Sequence, residues 1–257
     1  MKKITAIILL AVSAGANAVD STGPNSVYIE QIGSSNNVTI EQVGGSNDVG
    51  GVAGSVAVDS TGVSTLTVNA PSASNYGTVT GSSNNVSITQ RGDANKKQYN
   101  IKGNNNTLTN NTVGNSNKSK VTMGNATTNA TNSNVTQTVT GNSNMIIENV
   151  VGNNINSTTT ITGNSNQVTN TLNSTNGSST LNITGSSNVI NAQQIDAAGA
   201  NGHTLVNTVS GDFNSITTQQ QGSNDTTINI ATTGDHNTIT VRSSSSTITN
   251  PMSAIAR

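Results

Sequence analysis

Cysteine and tryptophan are both missing from this chain of 257 residues, which also has one Phe, three Tyr and three Pro. Each shortage excludes something. Without cysteine no disulfide can brace the fold. With 2% aromatic and 31% hydrophobic residues the chain cannot build the thick core of an ordinary globular domain. Such poverty in large side chains leaves two outcomes, a disordered chain or a thin β-solenoid held by backbone ladders and stacked polar side chains. Disorder goes with high net charge or abundant proline. Here 8% of residues are charged and the formal net charge is −1.

The first 18 residues read as a secretion leader. Lys2 and Lys3 form a positive start, Ile7–Val12 an apolar stretch too short to span a bilayer, and Ala16-Asn17-Ala18 a small-residue cleavage site. Removing them leaves eight basic against eleven acidic residues, a mature charge of −3. A secreted, extracellular chain with no transmembrane segment is expected.

What the sequence has instead is a beat. Glycine followed three places later by asparagine occurs eleven times, at Gly33, Gly44, Gly81, Gly92, Gly103, Gly114, Gly141, Gly163, Gly185, Gly211 and Gly234. Successive members are repeatedly 11 residues apart, as from Gly81 to Gly92 and Gly103 to Gly114. A short fixed period marks units that bury a face only by stacking on their neighbours, and it decides for the solenoid.

Counted from each Gly, positions +5, +7 and +9 carry most of the aliphatic residues: Val38/Ile40/Gln42, Val86/Ile88/Gln90, Ile190/Ala192/Gln194 and Ile216/Thr218/Gln220 are examples. The intervening positions are almost all polar. Alternation with period two is a half-buried strand. Gly and Asn are expected to take the positive-φ positions of each turn. Each 11-residue unit is then a strand of six or seven residues plus a tight turn, and two units make a coil of about 22 residues. The fold expected is all-β, a β-solenoid of strand–turn–strand coils over residues 19–242, about ten coils and about 50 Å long at roughly 4.8 Å per rung. Three stretches break the period, near 47–74, 125–134 and 195–203, and are expected to project from a continuous stack. The Ser-rich residues 243–257 read as a flexible tail. The expected core includes Ile29, Val38, Ile40, Val86, Ile88, Ile190, Ile216 and Ile239.

The spacing Gln31, Asn36, Gln42, the pairs Asn84/Gln90, Asn188/Gln194 and Asn214/Gln220, and the I-x-Q-x-G runs at Ile29–Gly33, Ile40–Gly44 and Ile88–Gly92 resemble the repeats of curlins, the subunits of bacterial curli fibres. The resemblance implies a secreted amyloid subunit that self-associates, leaves through an outer-membrane secretion pore, nucleates on a minor subunit and serves biofilm matrix and adhesion. It also implies that these Gln and Asn residues form amide ladders supporting polymerisation. At Gly103, Gly141 and Gly163 the +9 residue is Thr112, Val150 or Leu172, which interrupts the Gln ladder. A non-polymerising adhesin or a phage or cell-surface appendage built from the same repeats is the alternative.

Other chemistry is sparse. His203 and His236 lie in different units and read as turn residues, and the glycine-rich nonapeptide of calcium-binding solenoids is missing around Asp93, Asp212 and Asp235. The Thr run at 158–162 is too irregular for an ice-binding array. No nucleophile–base pair or phosphate loop is present, so no enzyme, cofactor, metal or specific nucleic-acid role is expected. Lys96, Lys118 and Lys120 fall in the outward set and could stack into a stripe for a surface polyanion, or form a solvated face that blocks lateral aggregation. Lys97 falls in the inward set, which reads as a local failure of the pattern or a snorkelling side chain.

Overall fold

The computed structural model describes residues 23–50, 53–58, 64–68, 77–196 and 202–244. The expected leader and residues 245–257 lie outside the described residues. Every strand pairing outside one hairpin is parallel, and no helix occurs among the described residues. The architecture is a β-solenoid of about eight turns with two faces. Sheet I contains the segments 26–32, 48–49 with 77–80, 96–104, 118–123 with 130–131, 145–153, 167–175, 189–196, 215–222 and 238–244. Sheet II contains 37–43, 85–91, 107–113, 134–140, 156–162, 178–184, 204–210 and 227–233. At about 4.8 Å per rung the stack is shorter than the ten coils expected from length alone. Residues spent on excursions between rungs account for the difference.

The alternation read from the sequence is the alternation of the strands. Val86, Ile88, Ile190 and Ile216 are buried. Ile29, Val38 and Ile40 pack against one apolar cluster from a half-buried position, and Ile239 against the other. These four sit on the outermost described rungs, where a strand has a neighbour on one side only among the described residues. The two clusters divide the interior, one running from Val49 to Leu172, the other from Val139 to Ile230.

Each coil has two corners. The first leads from sheet I to sheet II and the second back to sheet I. Three of the eleven Gly-x-x-Asn motifs, starting at Gly33, Gly81 and Gly103, lie at the first corner; the other eight lie at the second. In the turn beginning at Gly163, φ is +135° at the glycine and +57° at Ser165, whereas Asn166 is not left-handed. The expectation that Asn takes a positive φ is therefore corrected: the residue before it does, and Asn is present for its amide. A Cβ at position 163 would lie 1.9 Å from the carbonyl oxygen of Gly185 on the next rung. Close backbone stacking, in addition to φ, demands glycine here.

The irregular stretches are excursions of different kinds. Corresponding corner asparagines are 22 residues apart in regular coils, as between Asn144 and Asn166. The step is 48 from Asn47 to Asn95, 27 from Asn117 to Asn144, 26 from Asn188 to Asn214 and 23 from Asn214 to Asn237. In the first of these the chain leaves a sheet I strand after Gly50, forms an antiparallel hairpin of Ala53–Val58 with Ser64–Val68, and re-enters the same sheet at Gly77. Asn134, placed in the second stretch by the sequence, instead starts a regular strand of sheet II. Ile195 and Asp196 end a strand of sheet I, and His203 is a buried corner residue. Ser243 and Ser244, assigned to the tail, end the last strand.

Candidate functional site: ladders, end rungs and a buried polar belt

At the second corner nine asparagines stack without a break: Asn25, Asn47, Asn95, Asn117, Asn144, Asn166, Asn188, Asn214 and Asn237. The pattern repeats. Asn144 donates its backbone N–H (3.0 Å) and its Nδ2 (3.1 Å) to Asn117 Oδ1, and Nδ2 also donates to the Gly163 carbonyl at 2.8 Å. Each amide thus satisfies buried backbone groups on two neighbouring rungs, which is why no shorter or apolar side chain substitutes. Outside this ladder runs another. Asp93, Asp212 and Asp235 each accept a backbone N–H through Oδ1 at 2.6–2.7 Å, from Gly45, Ser186 and Asp212.

The predicted ladder residues divide between the corners. Asn188 and Asn214 belong to the nine-member ladder, whereas Asn36 and Asn84 belong to the first corner with Asn106. There the column continues as Ser133, Ile155, Gly177, His203 and Thr226. His203 is fully buried; its Nδ1 accepts from the Thr226 backbone N–H, and its Nε2 lies 3.3 Å from the Ile195 carbonyl and 3.4 Å from Asp196 Oδ1. Gln42 donates to Gln90 and Gln194 to Gln220, both at 2.9 Å, on opposite sheets and at opposite ends of the stack. Gln31 points inward, but its rung neighbour is Val79, so the amide ladder expected through it does not continue.

The outward lysines form only a short stripe. Lys96 and Lys118 are register neighbours, and Lys120 neighbours Gln98 and Ile147. Below them Asp48 sits 3.6 Å from Lys96 Nζ; above Lys118 the column continues with Met145.

Lys97 is neither a failure of register nor a snorkelling side chain. It is 1% exposed, and its Nζ lies 2.6 Å from both Ser119 Oγ and Gln137 Oε1. Gln137 Nε2 donates to Glu148 Oε2 at 2.7 Å, and Glu148 Oε1 accepts from Ser157 Oγ and, at 3.3 Å, from Asn170. Gln137 Oε1 accepts further bonds from Ser119 Oγ at 2.7 Å and Asn110 Nδ2 at 3.0 Å. Lys97, Ser119, Glu148 and Asn170 occupy inward positions in four successive rungs of sheet I; Asn110, Gln137 and Ser157 come from three successive rungs of sheet II. Burial lowers the Lys97 ammonium to about 7, against the opposing field of Glu148. Burial likewise raises the Glu148 carboxyl, against the hydrogen bonds of Ser157, Gln137 and Asn170 and the charge of Lys97. The belt was not recognised in the sequence. Its signal was a Lys and a Glu at neighbouring inward positions, +5 and +7 from their glycines, two rungs apart; Gln137 was hidden because its unit begins Ala130-Thr131-Asn132-Ser133 and lacks the Gly-x-x-Asn motif.

Comparison of the chain with family models, curated proteins and solved structures found no match.

Proposed function

We propose that this chain is a secreted structural subunit that adds end to end into a curlin-like extracellular fibre for adhesion or biofilm matrix. The reading rests on the outermost rungs. Strands 26–32 and 37–43 at one end, and 227–233 and 238–244 at the other, have a strand neighbour on one side only among the described residues. Strand edges that carry half-buried apolar side chains and have one strand neighbour among the described residues can template an incoming chain.

Sheet I and the Asn ladder supply a register for that addition. Placing Asn25 of a second copy over Asn237 continues the ladder and sets Val27 over Ile239 and Ile29 over Val241, apolar on apolar. The matching rung of sheet II, between 227–233 and the second copy's 37–43, has no strand among the described residues. On this reading the N-terminal leader is removed on secretion, export uses an outer-membrane pore, and a nucleator subunit starts the fibre. The short lysine stripe serves as a minor polyanion contact.

Purified leader-free chain tests the reading. Detergent-resistant fibrils with a meridional spacing of about 4.8 Å are expected, and Val241→Lys, on the end rung, should leave a folded monomer that elongates at least tenfold more slowly. Replacing Gln31 and Gln42 should lengthen the lag phase, with Gln42 the larger contributor because it alone has an amide neighbour. A wild-type chain that stays monomeric with β circular dichroism would sink the fibre and favour a capped adhesin or appendage. The antiparallel hairpin inserted in the second rung of sheet I is the feature that suits that second reading.

A further inference from the structure

We propose that Lys97 and Gln137 condense spontaneously into an intramolecular isopeptide bond, with Ser119 and Asn110 holding the reacting carbonyl and Glu148 carrying the proton. The reactants are already in contact inside the folded chain. Lys97 Nζ is 2.6 Å from Gln137 Oε1, and the carbon under attack is one C=O bond beyond that oxygen, about 1.23 Å. Packing by the stacked rungs fixes both groups, which replaces a bimolecular encounter by a positioned one.

The balance is simple. The Lys97 amine lone pair forms a bond to Gln137 Cδ, the Cδ–Nε2 bond breaks, and ammonia leaves. One proton passes from Nζ to Nε2, and nothing is oxidised or reduced. Each step has a group in place. An amine held near 7 by burial has a neutral, nucleophilic fraction at ordinary pH. Ser119 Oγ and Asn110 Nδ2 both donate to Oε1, where negative charge collects in the tetrahedral intermediate. Glu148 Oε2 sits 2.7 Å from the leaving nitrogen, in place to relay the proton, and burial raises its carboxyl in the direction of proton uptake.

The bond would tie sheet I to sheet II across 40 residues of chain. In a sequence with no cysteine it supplies the covalent brace that disulfides give other secreted proteins.

Mass spectrometry of the full chain decides the matter. After folding and incubation, then denaturation, the wild type should be lighter than its sequence mass by one ammonia, while Lys97→Met keeps its full mass. Peptide mapping should show one branched peptide containing Lys97 and Gln137, uncut after Lys97. Glu148→Gln should fold, as read by circular dichroism, yet cross-link at least tenfold more slowly. A folded wild type at full mass overturns the proposal. So does an ammonia loss that maps to Asn176-Gly177, where a succinimide could form, with Lys97 and Gln137 recovered on separate peptides.

Discussion

At the second corner eight turns are all four residues long and all begin with Gly and end with Asn, from Gly44–Asn47 to Gly234–Asn237. At the first corner the motif survives in three coils, and Ser133, Ile155, Gly177, His203 and Thr226 take the place of Asn in the others. The extra residues follow the same division. The five beyond Met123, those beyond Asp196 and the one between Gly222 and Thr226 enter at the first corner, and the hairpin leaves from within a sheet I strand. None enters the second corner. A ladder whose every amide bonds two neighbouring rungs tolerates no change of length, because one added residue would orphan groups above and below it. In three of the four places where the solenoid lengthens, the first-corner asparagine is replaced; the hairpin, the largest, instead enters a sheet I strand in a coil whose corners both keep it. The second corner keeps its length throughout.

The sharpest way to break this contrast is to add a methyl group at each corner. Gly163→Ala forces a Cβ to within 1.9 Å of a backbone oxygen at a φ of +135°. It should cost about 3 kcal/mol or more. At Gly177 the φ is not left-handed, and the nearest obstacle is the Ser174 hydroxyl, which can rotate away. Gly177→Ala should cost about 1 kcal/mol or less. Denaturant midpoints of the two variants measure the difference; equal losses would mean that the asparagine position at the first corner is packed as tightly as the glycine that opens a turn.

A smaller effect comes from the amides themselves. Asn166→Ala removes the acceptor for the Asn188 N–H and Nδ2 and the donor to the Gly185 carbonyl, leaving buried groups unpaired on both sides. About 2–4 kcal/mol is expected. Ser133→Ala at the first corner removes only a 3.2 Å bond to Ile155 N and another to the Thr131 carbonyl, for about 1 kcal/mol. Losses of the same size would show that the unbroken ladder adds nothing beyond its single bonds.

The period and its inward face were legible in the chain because Val38, Val86, Ile88 and Ile190 alternate with polar residues, and alternation depends only on backbone geometry. The division into two corners was not. Gly81-Ser-Ser-Asn84 and Gly185-Ser-Ser-Asn188 are the same four residues, yet they lie at opposite edges, and only the pairing register tells them apart. The belt failed for a different reason. An inward Lys97 looked like an error because polarity normally argues for the surface, and its partner Gln137 comes from the other sheet, 40 residues away. Partners across two sheets are a property of the stack, which no single repeat contains.

The smallest predicted effect uses protons. The nine-member ladder has no titratable side chain, whereas at the first corner Asp196 accepts the Thr175 N–H and lies beside His203. Burial raises the Asp196 carboxyl above its ordinary value, opposed by the Thr175 bond and the His203 charge and reinforced by Asp225. A raised carboxyl takes up its proton more readily in the folded chain, so this contribution is fully present in acid and is lost as pH rises through the folded value. Partial exposure to solvent keeps the effect small. Opening free energies from hydrogen exchange at Thr175 should therefore fall between acid and neutral pH, while those at Asn166 and Asn188 stay level. In Asp196→Asn the Thr175 trend should flatten. A matching decline at Asn166 would show that titration loosens the whole stack and that the two corners are not independent.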